Sequence, residues 1–263
     1  MTRFARSACI EWLFAEDGAP VPERVRRAAD AGLDGVEFWH WRNKDLEAVG
    51  EAAHAGGVAI VMMLVEPQVP IVDARRLAEF AEAAEDSARA AATLGCATLV
   101  VASGERLPDV PAAEQEAAIV AALRTGGEIA GRHGLTLLFE PLNDTDHPRF
   151  FVTGTDHGLR LIEEAGSRHV KLLYDVYHSA VMGEDPGIPI AGKGDLIGHV
   201  HVADHAGRHE PGTGVIDWPT VLRRLDEAGY SGHIGLEYRP TADTLASLAY
   251  LERAMASRTR LDR

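Results

Sequence analysis

Cysteine, basic charge and long apolar runs are all scarce in this sequence, and each scarcity removes a class of protein. Only Cys9 and Cys96 occur in 263 residues, far apart and in no metal-type spacing. A disulfide-stapled scaffold is therefore set aside, and two buried free thiols are expected. Lys and Arg number 26 against 40 Asp and Glu, a formal net charge of −14 at pH 7. Such a surface repels phosphate backbones and anionic lipid, so neither nucleic acid nor a membrane surface is an expected partner. No apolar run approaches the roughly 20 residues that cross a bilayer. The N-terminus, Met-Thr-Arg-Phe-Ala-Arg-Ser, is positively charged but lacks the apolar stretch of a secretory leader. The chain reads as cytoplasmic and soluble.

What is present is alternation. Short Val-, Ile- and Leu-rich runs are each followed by an Ala-, Glu- and Arg-rich amphipathic segment. Candidate strands are 7–14, 35–39, 59–64, 98–102, 136–140, 170–175, 197–203 and 233–238. Candidate helices are 22–31, 44–55, 73–94, 112–133, 155–165, 218–228 and 242–255, with a Gly- and Pro-rich passage around 186–194 in place of one between the sixth and seventh strands. Uninterrupted apolar strands joined by helical crossovers are covered on both faces and run parallel. Gly32, Gly57, Gly95, Gly134 and Gly229 each follow the last turn of a candidate helix, where a left-handed residue ends it. Eight such units predict a (β/α)₈ TIM barrel, read as one domain over 1–263. An open doubly wound sheet is the alternative that periodicity leaves standing, although no Gly-x-Gly-x-x-Gly follows the first strand. The Ala-rich stripe at 78–92 predicts close helix-on-sheet packing, and leaves a homo-oligomer surface open.

Reactive side chains gather at strand ends. Glu140 closes Leu137-Leu138-Phe139-Glu140, Asp175 closes Leu172-Leu173-Tyr174-Asp175, His201 ends His199-Val200-His201, and Glu237 follows Ile234-Gly235-Leu236. In a barrel these ends meet at the C-terminal rim. Any one acid alone could be an ion-pair partner or a helix cap. Three carboxylates and a histidine on four consecutive strands are costly to bury without a cation. An oxygen-rich set with one imidazole suits Mg²⁺ or Mn²⁺, and admits Co²⁺ or Zn²⁺.

Beyond these spacings, four stretches resemble the hydroxypyruvate isomerase family of xylose isomerase-like TIM barrels. They are Glu140-Pro141-Leu142-Asn143, Asp175-Val176-Tyr177-His178, Gly207-Arg208-His209-Glu210-Pro211-Gly212-Thr213-Gly214 and Gly229-Tyr230-Ser231-Gly232-His233-Ile234-Gly235-Leu236-Glu237-Tyr238. The likeness is strong from Glu140 to Pro240 and looser before it, where Gly35-Val36-Glu37-Phe38 matches best. The resemblance implies that Glu140, Asp175 and Glu237 hold the metal, with Glu140 and Glu237 doubling as the acid/base pair. It implies interconversion of hydroxypyruvate and tartronate semialdehyde through an enediolate. His201 stands where that family often has glutamine, and is the ligand typical of the related ketose 3-epimerases, which makes epimerisation the second reading.

His178, Asn143, Arg208 and His209 are the expected substrate-binding residues. His178 falls in the loop after the sixth strand, within reach of a substrate hydroxyl. Arg208 and His209 lie on a mobile-looking loop, where the guanidinium would pair with a small hydroxy-carbonyl acid's carboxylate. Asn143, as an alternative to touching substrate, and Asp146 follow Glu140 as candidate supports for it, and His199 lies one layer below His201 as a buried supporting or core histidine. Glu66 either edges the pocket or is solvated, His205 has no assigned role, and Trp39 and Trp41 wall the pocket or anchor a subunit contact. An endonuclease IV-like metal nuclease would need a richer His set and a basic rim. A non-catalytic sugar-binding barrel would need none of the acid/base pair.

Overall fold

The computed structural model describes residues 4–258. Residues 1–3 and 259–263, included in the one-domain reading, lie outside them. In chain order the elements are β1 (Ala5–Cys9), α1 (Val21–Asp30), β2 (Gly35–Glu37), α2 (Leu46–Gly56), β3 (Ala59–Ile60), β4 (Met62–Leu64), α3 (Leu77–Leu94), β5 (Thr98–Ala102) and α4 (Ala112–His133). They continue with β6 (Thr136–Glu140), α5 (Thr155–Ala165), β7 (Val170–Asp175), α6 (Val176–Val181), β8 (Ile197–Val202), α7 (Trp218–Glu227), β9 (His233–Leu236) and α8 (Thr244–Arg258).

All pairings are parallel, in the order β3-β2-β1-β9-β8-β7-β6-β5-β4. The two outermost members, β3 and β4, are halves of one strand split at Val61, whose carbonyl is taken by the Thr98 hydroxyl at 2.7 Å. Leu64 N donates to Trp39 O at 3.0 Å, so β4 also touches the chain leaving β2 and the sheet closes on itself. Eight barrel strands result, and the (β/α)₈ expectation holds. All five glycines expected to end helices have positive φ. Both cysteines are buried and free. No helix among the described residues is long and apolar enough to cross a membrane.

Two local readings are corrected. The first strand was expected over 7–14 but ends at Cys9, where Trp12 N and Leu13 N both donate to Cys9 O and turn the chain. Ile10, Leu13 and Phe14 remain buried in that turn, so its apolar run is indistinguishable from strand by hydrophobicity alone. The turn carries Trp12 over the barrel mouth. His178, expected in a loop, lies in α6, a short helix begun by Asp175, whose Oδ1 accepts from Tyr177 N at 2.8 Å and His178 N at 3.4 Å.

On β8 a bulge sets the inward residues. Leu172 pairs Ile197 but Leu173 pairs His199, leaving Gly198 as the extra residue. A Cβ at Gly198 would lie 2.4 Å from the Leu138 side chain. The bulge thereby brings His199 and His201 into register with Leu173 and Asp175. Inside the barrel a small cluster of Met62, Val100, Leu138 and Leu173 forms the floor. Truncating this floor at Leu138→Ala should cost about 2–5 kcal/mol, since the closed barrel cannot collapse onto the void. A urea-unfolding midpoint indistinguishable from that of the unmodified protein would contradict that packing.

Candidate active site

Above this floor, β6, β7, β8 and β9 deliver Glu140, Asp175, His201 and Glu237 to one point. Asp175 is the register partner of His201, and His201 that of Gly235, two residues before Glu237. One ligand atom from each of the four lies within 4.8 Å of all the others. Asp175, His201 and Glu237 are buried, and Glu140 is nearly so.

The electrostatics are those of crowded negative charge. Burial, then the charge of Glu237, raise the Glu140 carboxyl to about 8. Burial works against a charged His201, yet the carboxylates of Glu237 and Glu37 raise its imidazole to about 10. Burial and the Arg208 charge hold His178 well below the usual imidazole range.

Arg208 leans into this cluster. Its Nη2 donates to Asp175 Oδ2 at 3.2 Å and to Glu237 Oε2. Its guanidinium lies between the rings of Trp12 and Tyr177, 5.2 and 5.0 Å from their centroids. The other oxygen of Glu237 accepts from Trp39 Nε1 at 2.7 Å.

The residues fit a divalent cation. His201 Nδ1 is a buried nitrogen without a hydrogen-bond partner, 3.5 Å from Glu237 Oε2. Three carboxylates surround it, and the upward shift of the Glu140 carboxyl marks an excess of negative charge that a dication would relieve. Hard oxygen donors with one imidazole select among Mg²⁺, Mn²⁺, Co²⁺ and Zn²⁺ rather than a thiophilic metal.

The expected substrate-binding residues divide. His178 Nε2 lies 3.4 Å from Asp175 Oδ2 and 3.9 Å from Glu140 Oε1, facing the cluster. Asn143 does not line the cavity; its amide donates to His178 Nδ1 at 2.6 Å, while its oxygen accepts from Thr145 N and Asp146 N. An amide nitrogen only donates, so His178 Nδ1 is an acceptor and Nε2 carries the hydrogen. His209 turns away, its Nδ1 on the Arg239 carbonyl at 2.7 Å, and stays out of the cavity wall.

The loop bearing Arg208 is braced rather than loose. Fully buried Asp204 accepts from His205 N, Gly212 N, Ile216 N and Trp218 Nε1, tying both ends of the loop to α7. Glu66 neither edges the cavity nor is solvated; it accepts from Trp41 N and Arg42 N and meets His40 Nδ1, securing the chain after β2. The two tryptophans separate: Trp39 walls the cavity, and Trp41 donates to Ser87 outside it. His205 lines the cavity.

Sequence reading missed Trp12, Tyr177 and the use made of Glu37. Tyr177 lies inside Asp175-Val176-Tyr177-His178, and Trp12 lies in an apolar run that reads as strand. The cavity measures about 1040 Å³ and extends from the cluster across Leu64, Val69, Phe80 and Phe150. That is generous for a three-carbon acid.

A family described as xylose isomerase-like TIM barrel matches residues 25–254. A Streptomyces coelicolor protein provisionally named hydroxypyruvate isomerase is 33% identical over 89% of this chain and 90% of its own. The Escherichia coli hydroxypyruvate isomerase is 29% identical over 96% and 99%. A 2-oxo-tetronate isomerase of Cupriavidus necator is 33% identical over 62% of each. Among solved structures, an AP endonuclease, family 2, from Brucella melitensis superposes with a TM-score of 0.88 at 27% identity, covering 96% of this chain and 99% of its own.

Proposed function

The chain belongs to the xylose isomerase-like TIM barrel family and, within it, to the hydroxypyruvate isomerases, and from that premise we propose that this isomerase interconverts hydroxypyruvate and tartronate semialdehyde (2-hydroxy-3-oxopropanoate). The observation that carries the reading is the convergence of Glu140 and Glu237, from strands with two others between them, on one cluster with Asp175 and His201.

In this reading Glu140, Asp175, His201 and Glu237 hold a divalent cation, Mg²⁺ or Mn²⁺ first, with Co²⁺ or Zn²⁺ accepted. When bound, the cation supplies Lewis-acid stabilisation of negative charge on the carbonyl and adjacent hydroxyl oxygens. One of Glu140 and Glu237 removes the proton from the hydroxymethyl carbon, and the other delivers a proton to the former carbonyl carbon. Trp39 Nε1 holds one oxygen of the Glu237 carboxylate. His178, neutral and presenting Nε2–H because Asn143 occupies Nδ1, donates to a substrate oxygen. Arg208 pairs with the substrate carboxylate, its plane fixed by Trp12 and Tyr177. His209 has no part in substrate binding.

A net charge of −14 and an oxygen-rich cluster with one histidine support a small-molecule substrate over the nucleic-acid chemistry of the Brucella relative's name. Two buried free thiols accord with a reducing, cytoplasmic setting. A second reading, epimerisation of a ketose at carbon 3, draws on His201 and on a cavity larger than three carbons require.

Turnover in D₂O separates the two. With hydroxypyruvate, proton NMR should show the carbonyl moving to carbon 3 and deuterium entering carbon 2 of the product. Deuterium entering carbon 3 of a ketose, with its carbonyl unmoved, would replace isomerisation by epimerisation. Exchange into neither substrate would sink both.

A further inference from the structure

Below the four-residue cluster lies a carboxylate that the chemistry above leaves without a task. Glu37, at the end of β2, is completely buried and outside the cavity wall. An unpaired charge there would be prohibitively costly. Its Oε1 accepts from Ser7 Oγ at 2.9 Å. Its Oε2 meets His199 Nε2 at 3.0 Å and His201 Nε2 at 2.9 Å. The partners come from β1 and β8, and the two imidazoles stand edge to face with centroids 4.9 Å apart.

An ionised carboxylate only accepts, so each nitrogen facing Glu37 carries a hydrogen. For His201 the consequence is directional. With Nε2–H engaged by Glu37 beneath the cluster, the atom left to coordinate a cation, on giving up its proton, is Nδ1. That is the buried atom without a hydrogen-bond partner, facing Glu237. Glu37, His199 and His201 could also be read as a second ion site. Packing opposes it: a Cβ at Gly235 would lie 2.4 Å from Glu37 Oε1 and 2.6 Å from both His199 Nε2 and His201 Cδ2. The β9 backbone is pressed against all three residues, and Ser7 takes the remaining oxygen.

We propose that Glu37, braced by Ser7 and His199, is a positioning residue that locks His201 with Nε2–H toward itself and presents Nδ1 as the nitrogen ligand of the cation. Its negative charge behind the ring also strengthens the imidazole as a donor. The inference rests on the reading of His201 as a ligand.

Mn²⁺ affinity, measured by isothermal titration calorimetry on metal-stripped protein, provides the test. Glu37→Gln should weaken binding by about 10–100-fold. In a His201→Ala background the same substitution should add nothing, because the ring it acts through is gone. Unchanged affinity in Glu37→Gln, or an equal loss in both backgrounds, would overturn the proposal. The second result would mean that Glu37 acts as a general structural charge. Imidazole nitrogen NMR of the unmodified, Zn²⁺-loaded protein needs no variant. It should show His201 protonated at Nε2 and ligated through Nδ1; ligation through Nε2, or two ions per chain, refutes the lock. If the unmodified protein binds no divalent cation at all, the site reading fails first and takes this inference with it. That outcome is distinct from tight binding that Glu37→Gln leaves untouched.

Discussion

Glu140→Gln and Glu237→Gln should each lower kcat by about 10²–10⁴-fold, the range over which a positioned acid or base acts. The double variant should be hardly slower than the worse single one, since in the proposed reaction the two groups serve one proton transfer and their losses do not add. Stability should separate what activity does not. Glu140 accepts no hydrogen bond among the described residues, and its carboxyl is raised to about 8 by burial and by the Glu237 charge. A neutral amide there removes repulsion, so metal-free Glu140→Gln should melt no lower than the unmodified protein. Glu237→Gln loses the charge that faces Arg208, and should melt lower. Retention of kcat within tenfold by either single variant would remove that residue from the acid/base pair.

How much of this was legible beforehand depends on where the information sits. Glu140, Asp175 and Glu237 could be found because each interrupts an apolar run at its last residue, and a parallel barrel brings such ends together whatever the helices between them do. The helix-ending glycines were legible for a similarly local reason, a backbone conformation that glycine adopts without penalty. Trp12 was not, because an apolar turn packed under α8 and an apolar strand carry the same hydrophobicity. Nor was α6: six residues are too few to show a helical period, and an acid at a strand end reads equally as a metal ligand or a helix cap. Glu37 was visible only as part of a resemblance. Its partner His201 lies 164 residues away, and nothing local to Gly-Val-Glu announces a buried carboxylate with three donors around it.

Asn143 and His209 stand outside the cavity wall for one physical reason. Both neighbour functional residues in sequence, but adjacent side chains at a strand end or in a tight loop point in different directions. Asn143 follows Glu140 by three and reaches down to His178; His209 follows Arg208 by one and faces Arg239. A motif identifies the neighbourhood, whereas the turn decides which of its members looks inward.

Stripping the protein with a chelator should abolish isomerisation and also lower its melting temperature, and the second effect is the more diagnostic. Arg208 sits against Asp175 and Glu237, and burial with the Glu237 charge raises the Glu140 carboxyl to about 8, so the described structure already balances part of its own charge. A cation must compete with those arrangements, which makes its binding a gain in folded-state stability rather than a precondition for folding. At a metal concentration 100 times Kd the gain is about 2.7 kcal/mol, or about 5–10 °C in melting temperature for a chain of this size. Readdition of Mn²⁺ or Mg²⁺ should restore both activity and melting point. His201→Ala and Glu37→Gln should then show a smaller rise at the same metal concentration, because their weaker binding leaves less to gain. Full activity after complete metal removal would exclude the cation from the reaction. A thermal rise left at full size in His201→Ala would place the metal outside the Glu140–Asp175–His201–Glu237 cluster.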